Sequence, residues 1–338
     1  MTLLGQPSKV LGRRFGLFAI SSAVALVLAG CADPSTRTAK PTLHIPYGAA
    51  TETVAISDRA KPAREDGPAH RTAGSDRPAL SGIGAGDDEE TGWTKGQKTL
   101  MLNAGAAAAL TTWGVLKWDY GQNSPKASSE GWFGQDDKEG GADKLGHFWS
   151  SYALGHLFAS IYESWDYTEE EAAKFGALSS LGFHTLMEVG DSFSGFGFSY
   201  EDMLMNLAGS SAGYLLRVYP QVGEKIDIRI EYAPSLNGNN SADVFTDYEH
   251  QKFVVAVKGE GFEGLRGSIF EYLEFQTGYY ARGYNKFVPG GPETRRRIFY
   301  WGLGLNVGRV MSHFWDTALF DYFQVPGTYI PFEVKLDE

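Results

Sequence analysis

The stretch Asp143-Lys-Leu-Gly-His-Phe148 (DKLGHF) places an acid, a base and an imidazole at the start of an apolar, helix-like segment. A helix meant only for burial would carry Leu or Ala at these positions, because an unpaired buried charge is costly. The three ionisable side chains therefore need partners elsewhere in the chain, or a chemical role. The stretch predicts a polar site inside a helical fold.

Four apolar segments around this stretch have the periodicity of helices, at residues 97–118, 143–165, 169–190 and 200–219. Two sequences that resemble capping boxes open the last two helices, Thr168-Glu-Glu-Glu171 and Ser199-Tyr-Glu-Asp202. Pro220 follows the fourth segment and ends it. The pattern predicts an N-terminal helical bundle of about four helices over residues 94–222.

The first helical segment carries no charge between Thr99 and Leu116, and two interpretations are open. It has the apolar character of a membrane span, but it is rich in Ala and Gly and just under the usual length. We therefore expect a buried central helix.

After Gly223 the hydrophobic period changes from that of a helix to 2, which indicates strands. Asp227, Arg229 and Glu231 alternate with apolar residues in the first strand, and further strands are predicted at residues 253–258, 269–280, 299–307 and 332–336. Val310 to Phe323 reads as one amphipathic helix. The predicted fold class is α+β, with the helical domain at 94–222 followed by a small antiparallel β module at 226–338.

The N-terminus has the pattern of a secretory signal peptide over residues 1–30, with basic residues followed by an uncharged run. The run ends in Leu28-Ala-Gly-Cys31, which resembles a lipobox and implies cleavage before Cys31 and lipid on its thiol. A short membrane anchor is the alternative, but the run is shorter than a span. In such lipoproteins an Asp after the Cys favours the inner membrane, and Ala32 stands there, so we expect an outer-membrane lipoprotein facing the periplasm.

Residues 31–93 are rich in Pro, Ser, Thr, Ala, Gly and charge and predict a disordered tether. Signal cleavage removes three of the 30 Lys and Arg residues and none of the 41 Asp and Glu residues, so the mature chain has a formal net charge of −14. This charge disfavours nucleic acid and anionic lipid headgroups as partners. Cys31 is the only Cys, which excludes a disulfide framework and a thiolate zinc site.

Polar side chains recur on one face of three predicted helices, because positions 3, 4 or 7 residues apart share a helix face. The predicted polar network consists of Asp143, Lys144, His147, Glu188, Asp191, Asp202 and Asn206. Gly209 and Gly213 lie one turn apart on the fourth helix and would let a neighbouring backbone approach closely.

Simpler roles are open for these residues. Asp202 could do no more than complete a helix cap with Ser199. Asp143 could be an ordinary first-turn acid favoured by the helix dipole, with Lys144 as its solvated neighbour. His147, Glu188 and Asp191 could form a satisfied polar network that only fixes the helix register. If the polar faces of the three helices converge, however, carboxylates outnumber cations where they meet. Either some carboxyl groups keep protons, or a divalent cation lies among His147, Glu188, Asp191 and Asp202. Such a ligand set suits Mg, Mn, Ca or Zn.

The order of these motifs resembles that of the YfiM-like family of predicted periplasmic lipoproteins. The resemblance rests on Asp143-Lys-x-x-His147-Phe, Glu188-x-x-Asp191 and Phe198-Ser199-x-x-Asp202-x-x-x-Asn206-x-x-Gly209-x-x-x-Gly213. In the β part, Asp243-Val-Phe-Thr-Asp-Tyr and the stretch Gly278 to Tyr284 resemble the longer members. VanZ-type proteins are more distantly similar, but Asp191 replaces their Gln, so their association with glycopeptide resistance is not carried over.

Two functions are compatible with the sequence. The first is a non-catalytic lipoprotein, held on the membrane by lipidated Cys31, that binds or organises an envelope protein or a glycolipid. The second is a metal-dependent or acid/base hydrolase of an envelope lipid phosphate or glycolipid, with His147, Glu188 and Asp202 as catalytic candidates. The sequence has no serine nucleophile elbow, phosphate loop or dinucleotide motif that would name a more specific enzyme.

Overall fold

The computed structural model describes residues 92–234, 245–315 and 317–337. The predicted signal peptide, Cys31 and nearly all of the predicted tether lie outside these residues. The helical part consists of α1 (Lys95–Lys117), α2 (Ala142–Glu163), α3 (Glu169–Ser192), α4 (Tyr200–Val218) and the short α5 (Pro220–Gly223).

Side-chain caps set the start of these helices. The predicted capping box at Thr168 and Glu171 is present, and Thr94 forms a second box with Gln97 before α1. At α4 the Ser199 hydroxyl accepts a hydrogen bond from the backbone N–H of Asp202 at 3.2 Å. The helices therefore begin where the sequence predicts, because the caps satisfy N–H groups that have no partner inside the helix.

The central helix is α2, which packs against both α3 and α4. Phe158, Ala159 and Tyr162 of α2 form a buried cluster with Ala172 of α3. The Ser180 hydroxyl of α3 donates to the backbone carbonyl of Ser151 at 2.7 Å, so the two helices approach closely at this level.

The expectation that α1 is the buried central helix is wrong. Only 11% of its most apolar 18-residue window is buried, and α1 is long and apolar enough to cross a membrane by length and composition. One face of α1 packs on α3, while Leu100 and Leu116 on the other face are exposed. The central position is taken by α2, whose small residues allow closer packing on two sides.

The chain then forms five strands, β1 (Ile226–Tyr232), β2 (Gln251–Lys258), β3 (Leu273–Arg282), β4 (Arg296–Leu305) and β5 (Tyr329–Lys335). They pair antiparallel in chain order, which confirms the α+β fold class. Residues 269–272, predicted as the start of the third strand, form a 3₁₀ turn instead.

The single amphipathic helix predicted from Val310 to Phe323 is wrong. The structure has two short helices there, α6 (Val307–Met311) and α7 (Leu319–Tyr322). The break lets the following segment reach the free edge of β1, where the backbone N–H of Gln324 donates to the carbonyl of Ile230 at 2.9 Å.

The sheet and the helices meet at the start of α2. Ala142 is fully buried beside Ile230, Phe253 and Ala281, and Trp149 packs against the same cluster. The first turns of α2 therefore lie between the sheet and the other helices. Independent folding of residues 94–222 and 226–338 stays a prediction.

Candidate functional site

A left-handed turn delivers the chain into α2. Glu139, Gly140 and Gly141 have φ angles of 49°, 59° and 82°, a region that glycine adopts readily. A Cβ atom on Gly141 would lie 2.2 Å from the carbonyl oxygen of Trp132, so the turn leaves no room for a side chain at this position. The turn places Asp143 and Lys144 in the first turn of α2.

Lys144 is fully buried and is surrounded by three carboxylates. Its Nζ atom lies 2.9 Å from Asp143 Oδ2, 2.9 Å from Glu130 Oε2 and 2.8 Å from Asp202 Oδ1. The Asp202 side chain therefore pairs with Lys144, while the backbone N–H of Asp202 donates to the capping hydroxyl of Ser199. The ion pairs join the first turns of α2 and α4.

His147 lies one turn beyond Asp143 and faces α3 and α4. Its Nδ1 atom is 3.2 Å from Asn206 Oδ1 and 3.6 Å from Glu188 Oε1, and its Nε2 atom is 3.8 Å from Asp202 Oδ2. In the tautomer whose Nδ1 proton is donated to Asn206, Nε2 keeps a lone pair directed toward the Asp202 carboxylate. Two acceptors then face each other across a gap that a cation can bridge.

Glu188 is almost fully buried on α3 and is only half satisfied. Its Oε2 atom accepts from the backbone N–H of Ser199 at 3.2 Å, whereas Oε1 has no hydrogen-bond partner within the described part of the chain. Ligand atoms of His147, Glu188 and Asp202 all lie within 4.8 Å of one another. A second such group is formed by Glu130, Asp143 and Asp202.

Asp191 lies one turn beyond Glu188 and belongs to neither group. Burial raises its pKa to about 7, and the Tyr120 hydroxyl beside it opposes this shift. The structure therefore places six of the seven predicted polar residues around two adjoining carboxylate groups and places Asp191 at their border.

The electrostatics follow from burial and from repulsion between the acids. Burial and the nearby Asp202 charge raise the pKa of Glu188 to about 8, and burial raises the pKa of Asp143 to about 7 against the pull of Lys144. Burial also lowers the pKa of His147, which favours neutral imidazole. Metal-free protein therefore keeps a proton on Glu188 at neutral pH.

Close helix packing brings these groups together. A Cβ atom on Gly209 would lie 2.1 Å from the carbonyl oxygen of Phe148, so α4 and α2 touch through their backbones there. At Gly213 the nearest atom to such a Cβ would be 3.2 Å away, on His156, so the packing is looser.

His184, one helical turn before Glu188 on α3, bonds to Ser150 and Ser180 instead of joining the cluster.

Sequence reasoning missed Glu130 and Lys138, which lie in the loop before α2. Glu130 accepts from Lys138 and Lys144, and these two cations outweigh burial and lower its pKa to about 2. The loop has no helical period, so no spacing rule could connect Glu130 to the stripes. Its position depends on tertiary contacts, such as the Ser129 hydroxyl donating to Glu201 at 2.5 Å.

Residues 129–218 match the family model described as predicted periplasmic lipoprotein (DUF2279). This range holds every residue of the polar cluster, Glu130 included, and ends before the sheet begins. No curated protein and no solved structure matches the chain. Over its helical part from α2 to α4, with the site, the chain is therefore similar to the predicted periplasmic lipoproteins.

Proposed function

We propose that the protein is an outer-membrane lipoprotein facing the periplasm, which binds or organises another envelope component, either a protein or a glycolipid. The family match supports a periplasmic lipoprotein, and the Leu-Ala-Gly-Cys31 stretch followed by Ala32 supports lipid attachment and outer-membrane sorting. The spaced motifs of α2, α3 and α4 support a closer relationship to the YfiM-like proteins and a distant one to the VanZ type.

We propose further that the polar cluster binds one divalent cation. The observation that carries this proposal is the orphaned Oε1 atom of Glu188, buried beside His147 and Asp202. A buried carboxyl oxygen without a hydrogen-bond partner costs free energy whether the carboxyl group is ionised or protonated. A cation held by His147, Glu188 and Asp202 would remove that cost, and oxygen ligands with one imidazole suit several divalent ions.

Calorimetric titration of metal-free protein with Zn, Mn, Mg and Ca, one at a time, tests this proposal. We expect one ion to bind per chain, with proton release because the Glu188 carboxyl must ionise. Glu188→Gln should abolish binding, while Glu169→Gln, an exposed acid at the start of α3, should leave it unchanged. Equal binding by the wild type and Glu188→Gln would contradict a cation site at this cluster.

A hydrolase is the second candidate, because Glu188 has its pKa near neutrality and lies 3.6 Å from the neutral imidazole of His147. A general acid or base needs these properties. Neither of two cavities in the described part, one between α1 and α3 and one between α2 and the sheet, is lined by His147, Glu188 or Asp202. If the protein releases phosphate from lipid phosphates, and if both Glu188→Gln and His147→Ala lose this activity, the hydrolase becomes the favoured function.

A further inference from the structure

In the five-stranded sheet, large apolar side chains are exposed on one face and charged side chains are buried on the other. One face of the sheet packs on α2 through Ile230, Phe253 and Ala281 of β1, β2 and β3. The uncovered part of that face, here called the apolar sheet face, consists of Phe275, Phe299, Trp301, Leu303, Leu305, Ile330, Phe332 and Val334. Each of these side chains is between 40% and 70% exposed. A sheet with one face in water normally shows polar side chains on that face.

The opposite face carries the charges, and they are buried. Arg229 donates to Glu274 at 2.8 Å and to Gln324 at 3.0 Å, and Lys258 lies 2.7 Å from Asp227. All five side chains are at least nine-tenths buried. The polar groups are therefore paired inside the fold, and the large apolar groups are left outside.

The apolar sheet face is an ordered surface. In the strand register Thr277 lies opposite Trp301, which lies opposite Phe332. The ring of Trp301 stacks at 4.6 Å on Phe332 and at 6.4 Å on Phe275. From Phe299 to Leu305 the face extends about 20 Å along β4. A contiguous exposed apolar surface of this kind marks an interaction site.

The two ends of the face differ in character. At one end Arg297, which lies on this face, pairs with Asp337; the exposed Arg296 and Lys335 there project from the opposite face. At the other end the turns around Tyr272 and His313, joined by a 3.0 Å contact between Tyr272 Oη and His313 Nε2, expose large apolar side chains. These are Ile269, Phe270, Phe314 and Trp315. Aromatic side chains suit the boundary between headgroups and acyl chains.

We propose that the apolar sheet face docks on a phospholipid bilayer. The reversed placement of polar and apolar side chains is the one expected for a sheet that faces lipid instead of water. The sequence also predicts a lipid anchor at Cys31, about 60 residues before α1, so the folded part stays near a membrane and the second contact is effectively intramolecular.

A site-specific fluorescent label tests this contact. Cys31 is the only Cys, so the signal-less Cys31→Ser chain is a Cys-free background that also lacks the lipid. In this background Phe332→Cys on the sheet, Leu215→Cys on α4 and Leu100→Cys on α1 each receive an environment-sensitive dye. The probe membrane is a vesicle of the zwitterionic lipids phosphatidylethanolamine and phosphatidylcholine, because the acidic chain disfavours anionic headgroups.

We expect a blue shift and at least a twofold gain in emission at position 332, with no change at 215. We also expect the double variant Trp301→Thr and Phe332→Thr, which keeps residues suited to strands, to lose at least tenfold in vesicle flotation. Circular dichroism confirms that the variants fold.

Three results would overturn the proposal. Vesicles could leave the label at 332 unchanged, or change only the label at 100, which would assign membrane contact to α1. A concentration-dependent change at 332 without vesicles, with dimers in solution, would assign the face to a second copy of the chain. Because the Cys31→Ser chain keeps Glu188 and His147, cation binding is measured separately on the same protein.

Discussion

The Nζ atom of Lys144 lies 2.8 Å from Oδ1 of Asp202, and this ion pair joins the first turns of α2 and α4 in a buried setting. Glu130 and Asp143 share the same ammonium group. One cation thus holds three acids that would otherwise repel one another, which explains why a lysine is tolerated where solvent is excluded.

We expect Lys144→Met to cost about 3–5 kcal/mol in the free energy of unfolding, because it leaves Asp143 and Asp202 buried without their cation, while Glu130 keeps its pair with Lys138. Urea denaturation checks the value. Lys138→Met is the matched control, since Lys138 also pairs with Glu130 but has 39% of its side chain exposed. The control should cost less than about 1 kcal/mol. Similar losses in the two variants would refute the central role of Lys144.

The stability of metal-free protein should fall as pH rises from 7 to 8. Below this window the buried His156 and His184 act in the opposite direction, because folding lowers their pKa values from 6.5 to about 4. The pKa of Glu188 is raised on folding from the ordinary 4.5 to about 8, so the unfolded chain loses its proton first. The contribution of Glu188 is complete below pH 4.5 and is lost as pH approaches 8. Asp143 and Asp191, both raised to about 7, act in the same direction.

Thermal melts with a chelator across this range measure the effect. Glu188→Gln should melt higher than the wild type at pH 8 and should show a shallower pH dependence, because the amide cannot ionise. Glu169→Gln should follow the wild type. A wild-type melting temperature that is flat or rises from pH 7 to 8 is incompatible with the raised pKa of Glu188.

We expect Gly209→Ala to destabilise the protein by about 1–3 kcal/mol, since the new methyl group would meet the Phe148 carbonyl at 2.1 Å and push α4 from α2. Gly105→Ala is the matched control on α1, where a Cβ would have no atom within 4 Å. It should be neutral or stabilising by up to about 1 kcal/mol. The free energies of unfolding of the two variants should therefore shift in opposite directions or differ clearly; equal shifts would argue against backbone contact at Gly209.

Residues 94–222 expressed alone should be helical by circular dichroism, as the change of period near Pro220 predicts. We also expect a lower melting temperature than that of the whole chain, because Ala142 and Trp149 lose their contacts with Ile230 and Phe253. An unfolded fragment would show that the sheet is required for the helices to fold.

Local rules accounted for most elements. Capping residues predicted the starts of α3 and α4, and the alternation around Arg229 predicted β1, because caps and side-chain periodicity act within a few residues. The same rules failed at α1 and at residues 310–323. Burial of α1 depends on which neighbour occupies the centre, and the segment after α7 bonds to β1 through Gln324, a contact that no local rule contains.

By itself the sequence determined the fold class and the helical spacing of Asp143, His147, Glu188, Asp202 and Asn206, since spacing along a helix is a property of the chain alone. Only the tertiary structure decided that Glu130 joins these residues, that Asp191 lies at their border, and that the sheet turns its apolar face outward. The physical reason is that a loop has no period, and alternation along a strand does not tell which face is covered.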